Sequence, residues 1–426
     1  MTRAVPPGVD DIRQAVQRRQ SDLEALASTM VRCPSLPGEE GQVQQLVAER
    51  LDGMGMETRI EPIQFERLRS HPAFGDDGFS PDGRVNVVAR WPGTGGGRSL
   101  ILNGHVDVVS TGDPSLWRDS PWSGTIRDGV LHGRGSCDMK SGLAAGIIAA
   151  QVLRDLDWQP AGDLTIESVV GEESGGCGTL MTIVDGITAD AAVILEPTAL
   201  ALCPVQSGAL TFRLTVRGRA AHGAMRQHGV SAIEKFLLIQ HAINRLERER
   251  HLQFRSLLFD DPDFVAPISI GTIQGGEWHS TVAETVVAEG RFGVFPGEAV
   301  ETARAALETL LMETAATDPW MVDHPPRVEW FEGQFEAGET SVNHPLVDCL
   351  AGSHRRTLGV DPPIRGVSYG SDLRLFTNHA GMPAVLYGPG DVAVAHAANE
   401  SIPLKEVAAA VRVLAGFIAE WCGAPG

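Results

Sequence analysis

Five short blocks carry residues whose types suit metal chemistry. His105-Val106-Asp107 follows the apolar run SLILNG. A histidine with a carboxylate two residues on places both side chains on one face of an extended segment. That reads either as two metal ligands or as one ligand, His105, oriented by Asp107. Asp138 lies in GRGSCDMKSG, just before a small-residue segment, where capping a helix is the structural alternative. Glu172-Glu173 ends an apolar run, and adjacent carboxylates repel, so a site needing both charged holds a cation or takes up a proton. Glu196 closes another apolar run before Pro197, and His396 follows the glycine-containing turn GPGDVAVA. Each block alone has a structural explanation; five together at strand ends point to a shared site. Two imidazoles and several carboxylates are enough for two divalent metal ions with a bridging carboxylate, and mixed nitrogen and oxygen donors suit zinc, and also cobalt or manganese. One carboxylate must then stay off the metals as general base.

The elements that must position these residues are legible from periodicity. Asp10 to Met30 and Glu39 to Met54 have helical apolar spacing, and His71 to Arg84 is a turn-rich loop. NVVARW, SLILNGHVDVV, DLTIESVVGEE and AAVILEP read as buried strands, with Ser141 to Leu156 as a buried helix among them. Strands alternating with helices predict an α/β domain with a central, largely parallel sheet, whose ligands sit beyond the carboxyl ends of its strands. Near Gln206 the pattern changes. TFRLTVRG and TVVAEGRFGVF alternate apolar and polar residues, as half-buried antiparallel strands do. With PISIGTI, RVEWFEG and helices near Val230 to Arg250 and Gly297 to Thr314, they predict an α+β unit of four antiparallel strands and two helices. After Gly338 the α/β style returns, with a helix near His344 to Leu358, a strand at PAVLYG and a closing helix from Pro403. The expected organisation is a discontinuous catalytic domain, 1–206 and 336–426, with residues 207–335 inserted, consistent with two domains in 426 residues.

A formal charge of -19 argues against nucleic acid or an anionic membrane as partner, since both are polyanions. The opening stretch MTRAVPPGVDDIRQAVQRRQ is polar and no long apolar run follows, so a cytoplasmic chain without signal peptide or membrane span is expected. The six cysteines are scattered, and neither Cys137 nor Cys177 belongs to a C-x-x-C pair, so buried thiols are expected.

The blocks GHVDVV, GRGSCDMKSG, GEESGG, EPT and GPGDVAVAHAANE, in that order from His105 to Glu400, resemble the five signature blocks of the co-catalytic zinc amidohydrolases and peptidases. That family includes acetylornithine deacetylase, succinyl-diaminopimelate desuccinylase, aminoacylases and glutamate carboxypeptidase. The resemblance implies that His105, Asp138 and Glu196 bind a first metal and that Asp138, Glu173 and His396 bind a second, with Asp138 bridging. It implies that Asp107 orients His105, that Glu172 is the general base, and that the Asp138-Met139 peptide is cis. The inserted unit would be a lid and dimerisation domain of a homodimer, and His222, in RGRAAHG, would reach the partner's active site to stabilise an oxyanion.

Substrate residues follow less directly. Family members often carry Asn-Val-Val-Pro before Asp-x-Arg; here Ser280-Thr281-Val282-Ala283 precede Glu289-Gly290-Arg291, which leaves Arg291 as a candidate carboxylate clamp. Gly370-Ser371-Asp372 resembles the family's substrate-binding loop, with a capped turn as the alternative for Asp372. The implied activity is hydrolysis of the amide bond of a small N-acyl amino acid or related amide. A di- or tripeptidase or carboxypeptidase with the same metal centre is the alternative, and a catalytically silent binding protein a remoter one.

Overall fold

The computed structural model describes residues 6–423, which form two compact units. One takes the chain through Pro204, then Glu339–Arg365 and Ser371 onward; the other takes Val205–Gly338 and Gly366–Gly370.

In the first unit, neighbouring strands run in the order Glu57–Pro62, Val85–Trp91, Leu164–Val169, Leu100–His105, Ala192–Ile194, Ala384–Leu386. The Leu100–His105 strand pairs in parallel with Leu164–Val169 and with Ala192–Ile194, and the latter pairs in parallel with Ala384–Leu386. Glu57–Pro62 and Val85–Trp91 join antiparallel, as does the contact of Leu386 with Cys203. The α/β class expected from the sequence holds: the sheet is mixed, parallel at its centre and antiparallel to either side. Every residue of Leu100–His105 and of Leu164–Val169 is buried, which is why these runs read as continuously apolar rather than alternating.

The Ser141–Asp155 helix approaches the sheet closely because its glycines have no Cβ. One built on Gly142 would sit 2.1 Å from the Leu195 carbonyl oxygen, and one on Gly146 2.7 Å from Leu195 Cδ1. Asp10 to Met30 is not one helix. It divides into Val9–Arg18 and Gln20–Arg32 at Arg19, whose guanidinium is held by Asp155 at 2.6 and 2.8 Å and by Asp22 at 3.1 Å. A small sheet of Thr125–Arg127, Val130–His132 and Ser401–Pro403 lies in the same unit and carries Glu400 at its edge.

The second unit is a four-stranded antiparallel sheet in the order Ile268–Gly275, Thr285–Val294, Gly208–Arg217, Arg327–Phe335, with helices Ala232–Gln253 and Val300–Ala316. Leu210, Phe212, Leu214 and Val216 point to one face and are buried with Ile239, Ile243 and Leu307. This is the period-two burial that the sequence alternation records. One short segment departs from the expected division: Gly366–Gly370 packs with this unit. The Ser207 N–H donates to the Val367 carbonyl at 2.9 Å, and a Cβ on Gly366 would collide with the Phe259 ring at 2.4 Å.

Candidate metal centre

His105 ends its strand at 1% exposure. Its Nδ1 faces the backbone carbonyl of Asp107 at 2.9 Å, so that nitrogen carries a proton and donates it. Nε2 is thereby turned to the carboxylates: Asp138 Oδ1 at 3.2 Å, Glu196 Oε1 at 3.9 Å and Glu172 Oε2 at 4.0 Å. The Asp107 carboxylate does a different task from its carbonyl. Oδ2 accepts the Glu173 backbone N–H at 3.0 Å, while Oδ1, 3.7 Å from His105 Nδ1, is buried without a hydrogen-bond partner.

Asp138 begins a cis peptide to Met139, the geometry the motif resemblance implies. Its second oxygen, Oδ2, lies 3.4 Å from His396 Nε2, and that nitrogen is also 3.1 Å from Glu173 Oε1. His396 has φ of +59°, a left-handed conformation at a non-glycine residue, and its side chain is 53% exposed. Such strain persists where the surroundings over-determine it, commonly at functional sites. Glu172 and Glu196 are buried. His105, Asp138 and Glu173 each offer a ligand atom within 4.8 Å of the others, and so do His105, Glu172 and Glu196.

The electrostatics of this array favour a cation. Burial, added to by neighbouring carboxylates, pushes the carboxyls of Glu172, Glu173 and Glu196 up. Burial would also raise Asp138, yet hydrogen bonds from His105 and His396 hold it well below the usual carboxylate range. Hydrogen bonds to Asp138 and Glu173 push His396 up to about 10, and Asp138 with the surrounding carboxylates outweighs burial to raise His105. Buried acids crowded against two imidazoles thus recruit protons, and divalent ions compete for the same lone pairs. Two imidazoles and several buried carboxylates converging within ligand distance fit mixed nitrogen and oxygen ligation of metal.

Glu400 is a residue that the sequence reading passed over. It is 1% exposed, and its Oε1 accepts the backbone N–H groups of Cys137 at 2.8 Å and Asp138 at 3.1 Å. Its Oε2 accepts from Arg134 Nη1 at 2.6 Å and from the Gly135 N–H at 3.0 Å. The signal available was a lone glutamate closing the AHAANE block.

Ser371 and Asp372 are fully buried: Ser371 Oγ accepts the Leu373 N–H at 3.2 Å and Asp372 Oδ2 accepts from Thr179 Oγ1 at 2.5 Å. In this turn the capping oxygen is that of Ser371. A Cβ on Gly370 would meet Phe335 Cβ at 2.6 Å, so glycine there serves packing. Arg291 sits mid-strand in the second unit, its Nη2 donating to the Ser368 carbonyl at 2.9 Å and its Nε buried without a partner. His222 is exposed in that unit. Its Nδ1 accepts the Ala224 N–H at 3.1 Å, which places the proton of the neutral ring on Nε2. All six cysteines are free; Cys137 and Cys177 are buried, and burial pushes both thiols up. Among the described residues no helix is long and apolar enough to cross a membrane.

Residues 101–420 match the family described as Peptidase family M20/M25/M40. The chain is 29% identical over 440 aligned residues to N-formyl-4-amino-5-aminomethyl-2-methylpyrimidine deformylase of Halalkalibacterium halodurans, covering 97% of each chain. It is 28% identical over 409 residues to acetylornithine deacetylase of Myxococcus xanthus, covering 91% of this chain and 99% of that one. Among solved structures, human carnosine dipeptidase 1 shares the fold with a TM-score of 0.76 at 15% identity, over 98% of this chain and 99% of that one.

Proposed function

The chain belongs to peptidase family M20/M25/M40 and is a metal-dependent amidohydrolase, and from that premise we propose that it removes a short acyl group, formyl or acetyl, from the nitrogen of a small amine or amino acid. The observation that carries the two-metal reading is Asp138, whose oxygens face different imidazoles at 3.2 and 3.4 Å. His105, Asp138 and Glu196 would hold one ion and Asp138, Glu173 and His396 the other, with zinc the first expectation and cobalt or manganese compatible. Two relatives that match over more than nine-tenths of this chain are named for removal of a one- or two-carbon acyl group, which supports the short acyl reading.

Bound divalent ions would supply Lewis acidity, acidifying water and polarising the scissile carbonyl. The protein supplies the rest. The Asp107 carbonyl locks the His105 tautomer so that Nε2 stays available. Glu172, buried with its Oε2 4.0 Å from His105 Nε2, takes the proton of the attacking water and returns it to the leaving nitrogen. His222, with its proton on Nε2, is a hydrogen-bond donor for the oxyanion, and we assign it to the partner's site in a homodimer.

The test is metal analysis with a panel of N-formyl, N-acetyl and N-succinyl amines beside dipeptides. Two ions per chain and preference for formyl or acetyl amides are expected. Faster turnover of dipeptides would replace the deacylase reading with a peptidase one.

A further inference from the structure

Glu172 and Glu173 have the same side-chain chemistry. Only the direction of the backbone in their turn assigns one to proton transfer and the other to metal. The turn is gripped from beneath by a buried ion pair that the catalytic reading does not use. Arg84, 0% exposed, donates through Nη1 to Asp77 Oδ2 at 2.6 Å and through Nε to Glu40 Oε1 at 3.2 Å. Asp77, itself 4% exposed, accepts a second hydrogen bond on the same Oδ2 from Ser174 Oγ at 3.0 Å, and its Oδ1 takes the Phe79 N–H at 3.1 Å. Glu40 is completed by the Gly38 N–H, 2.8 Å from its Oε2. The guanidinium also lies under Gly171, whose φ is +74°; a Cβ there would come within 2.7 Å of Arg84 Nη2 and 2.5 Å of Cys177 Sγ. Gly171 and Ser174 bracket the two glutamates.

We propose that Arg84, acting through Asp77 and Ser174, is the positioning residue that fixes the Glu172-Glu173 turn and so keeps the base and the ligand in their separate roles. The proposal rests on the reading of Glu172 as general base. A buried ion pair contributes little net stability, because desolvation of both charges offsets their attraction, so stability is a weak reason for this one. The partly exposed loop from His71 to Arg84 has a purpose on this view: it delivers Asp77 to the turn.

Ser174→Ala removes the last link and leaves Arg84, Asp77 and Glu40 paired. We expect kcat to fall about tenfold, the scale of one hydrogen bond to a charged group, with KM within about twofold. Metal content and melting temperature should be unchanged, and Ser174→Thr, which keeps the hydroxyl, should restore kcat. Asp77→Asn should also lower kcat, and adding Ser174→Ala to it should cost nothing further. Full kcat in Ser174→Ala, loss of metal in that variant, or losses that multiply in the double variant each overturn the proposal. If Asp77→Asn does not fold, the Ser174 pair decides alone. Glu172→Ala assayed alongside separates the two readings: if it keeps turnover, the base assignment falls. If it is inactive while Ser174→Ala is not impaired, only the positioning role falls.

Discussion

Asp107 serves Glu173 with its carboxylate, accepting that residue's backbone N–H at 3.0 Å, while it holds His105 by its backbone carbonyl. The carbonyl survives any substitution of the side chain. Asp107→Ala should therefore leave the His105 orientation in place and loosen the turn that presents Glu173. Metal loss is expected first at the position served by Glu173 and His396, so content should fall from two ions toward one per chain. Metal analysis after dialysis checks this, and retention of both ions would show that the carboxylate is dispensable to the turn.

Glu172→Ala should keep both metals and lose several orders of magnitude in kcat, whereas Glu173→Ala should lose metal. Proton transfer and ligation are separate tasks for these neighbours. Metal content and kcat measured on the same preparations decide it; equal metal loss in both variants would reverse the division of labour.

Glu400→Gln should be among the more destabilising single changes outside the ligands. It leaves the buried Arg134 guanidinium without its carboxylate and turns an amide N–H or a single oxygen toward donors that Glu400 now satisfies. Breaking one side of a buried pair costs about 3–5 kcal/mol. Urea denaturation of the metal-free protein isolates this from ligand-linked stabilisation, and a cost below about 1 kcal/mol, ordinary for an exposed pair, would show the pair to be weak.

His222→Ala should retain metals and lose turnover. If His222 acts in the partner's site, mixing it with Glu172→Ala under subunit exchange gives heterodimers in which one site has both residues intact. Random mixing then restores about one site in four. No recovery despite exchange demonstrated by mass-tagged subunits would place His222 in its own subunit's chemistry or outside the reaction.

The sequence by itself determined the kinds of element and the chemical character of the site. Buried runs such as SLILNG and ILEP, alternation in TFRLTVRG, and the small residues of the Ser141–Asp155 helix record local burial, which is averaged along the chain and therefore readable from one dimension. His105, Glu172, Glu173 and Glu196 stood out for the same reason, as charged or imidazole side chains closing apolar runs have few structural uses, and Asp138 and His396 stood out beside glycine-containing turns. Tertiary structure alone decided which atoms meet. That Asp107 splits its carbonyl and carboxylate between His105 and Glu173 depends on a contact across 66 residues, and that Glu400 lies beneath Asp138 on one across 262. Asp372 meets Thr179 across 193 residues. At Arg19, where the first helix divides, the guanidinium meets Asp155 from 136 residues away. Periodicity encodes how much of a residue is covered; the identity of the covering group is set by packing between distant segments, and hydrogen bonds, which act over about 3 Å, register only that.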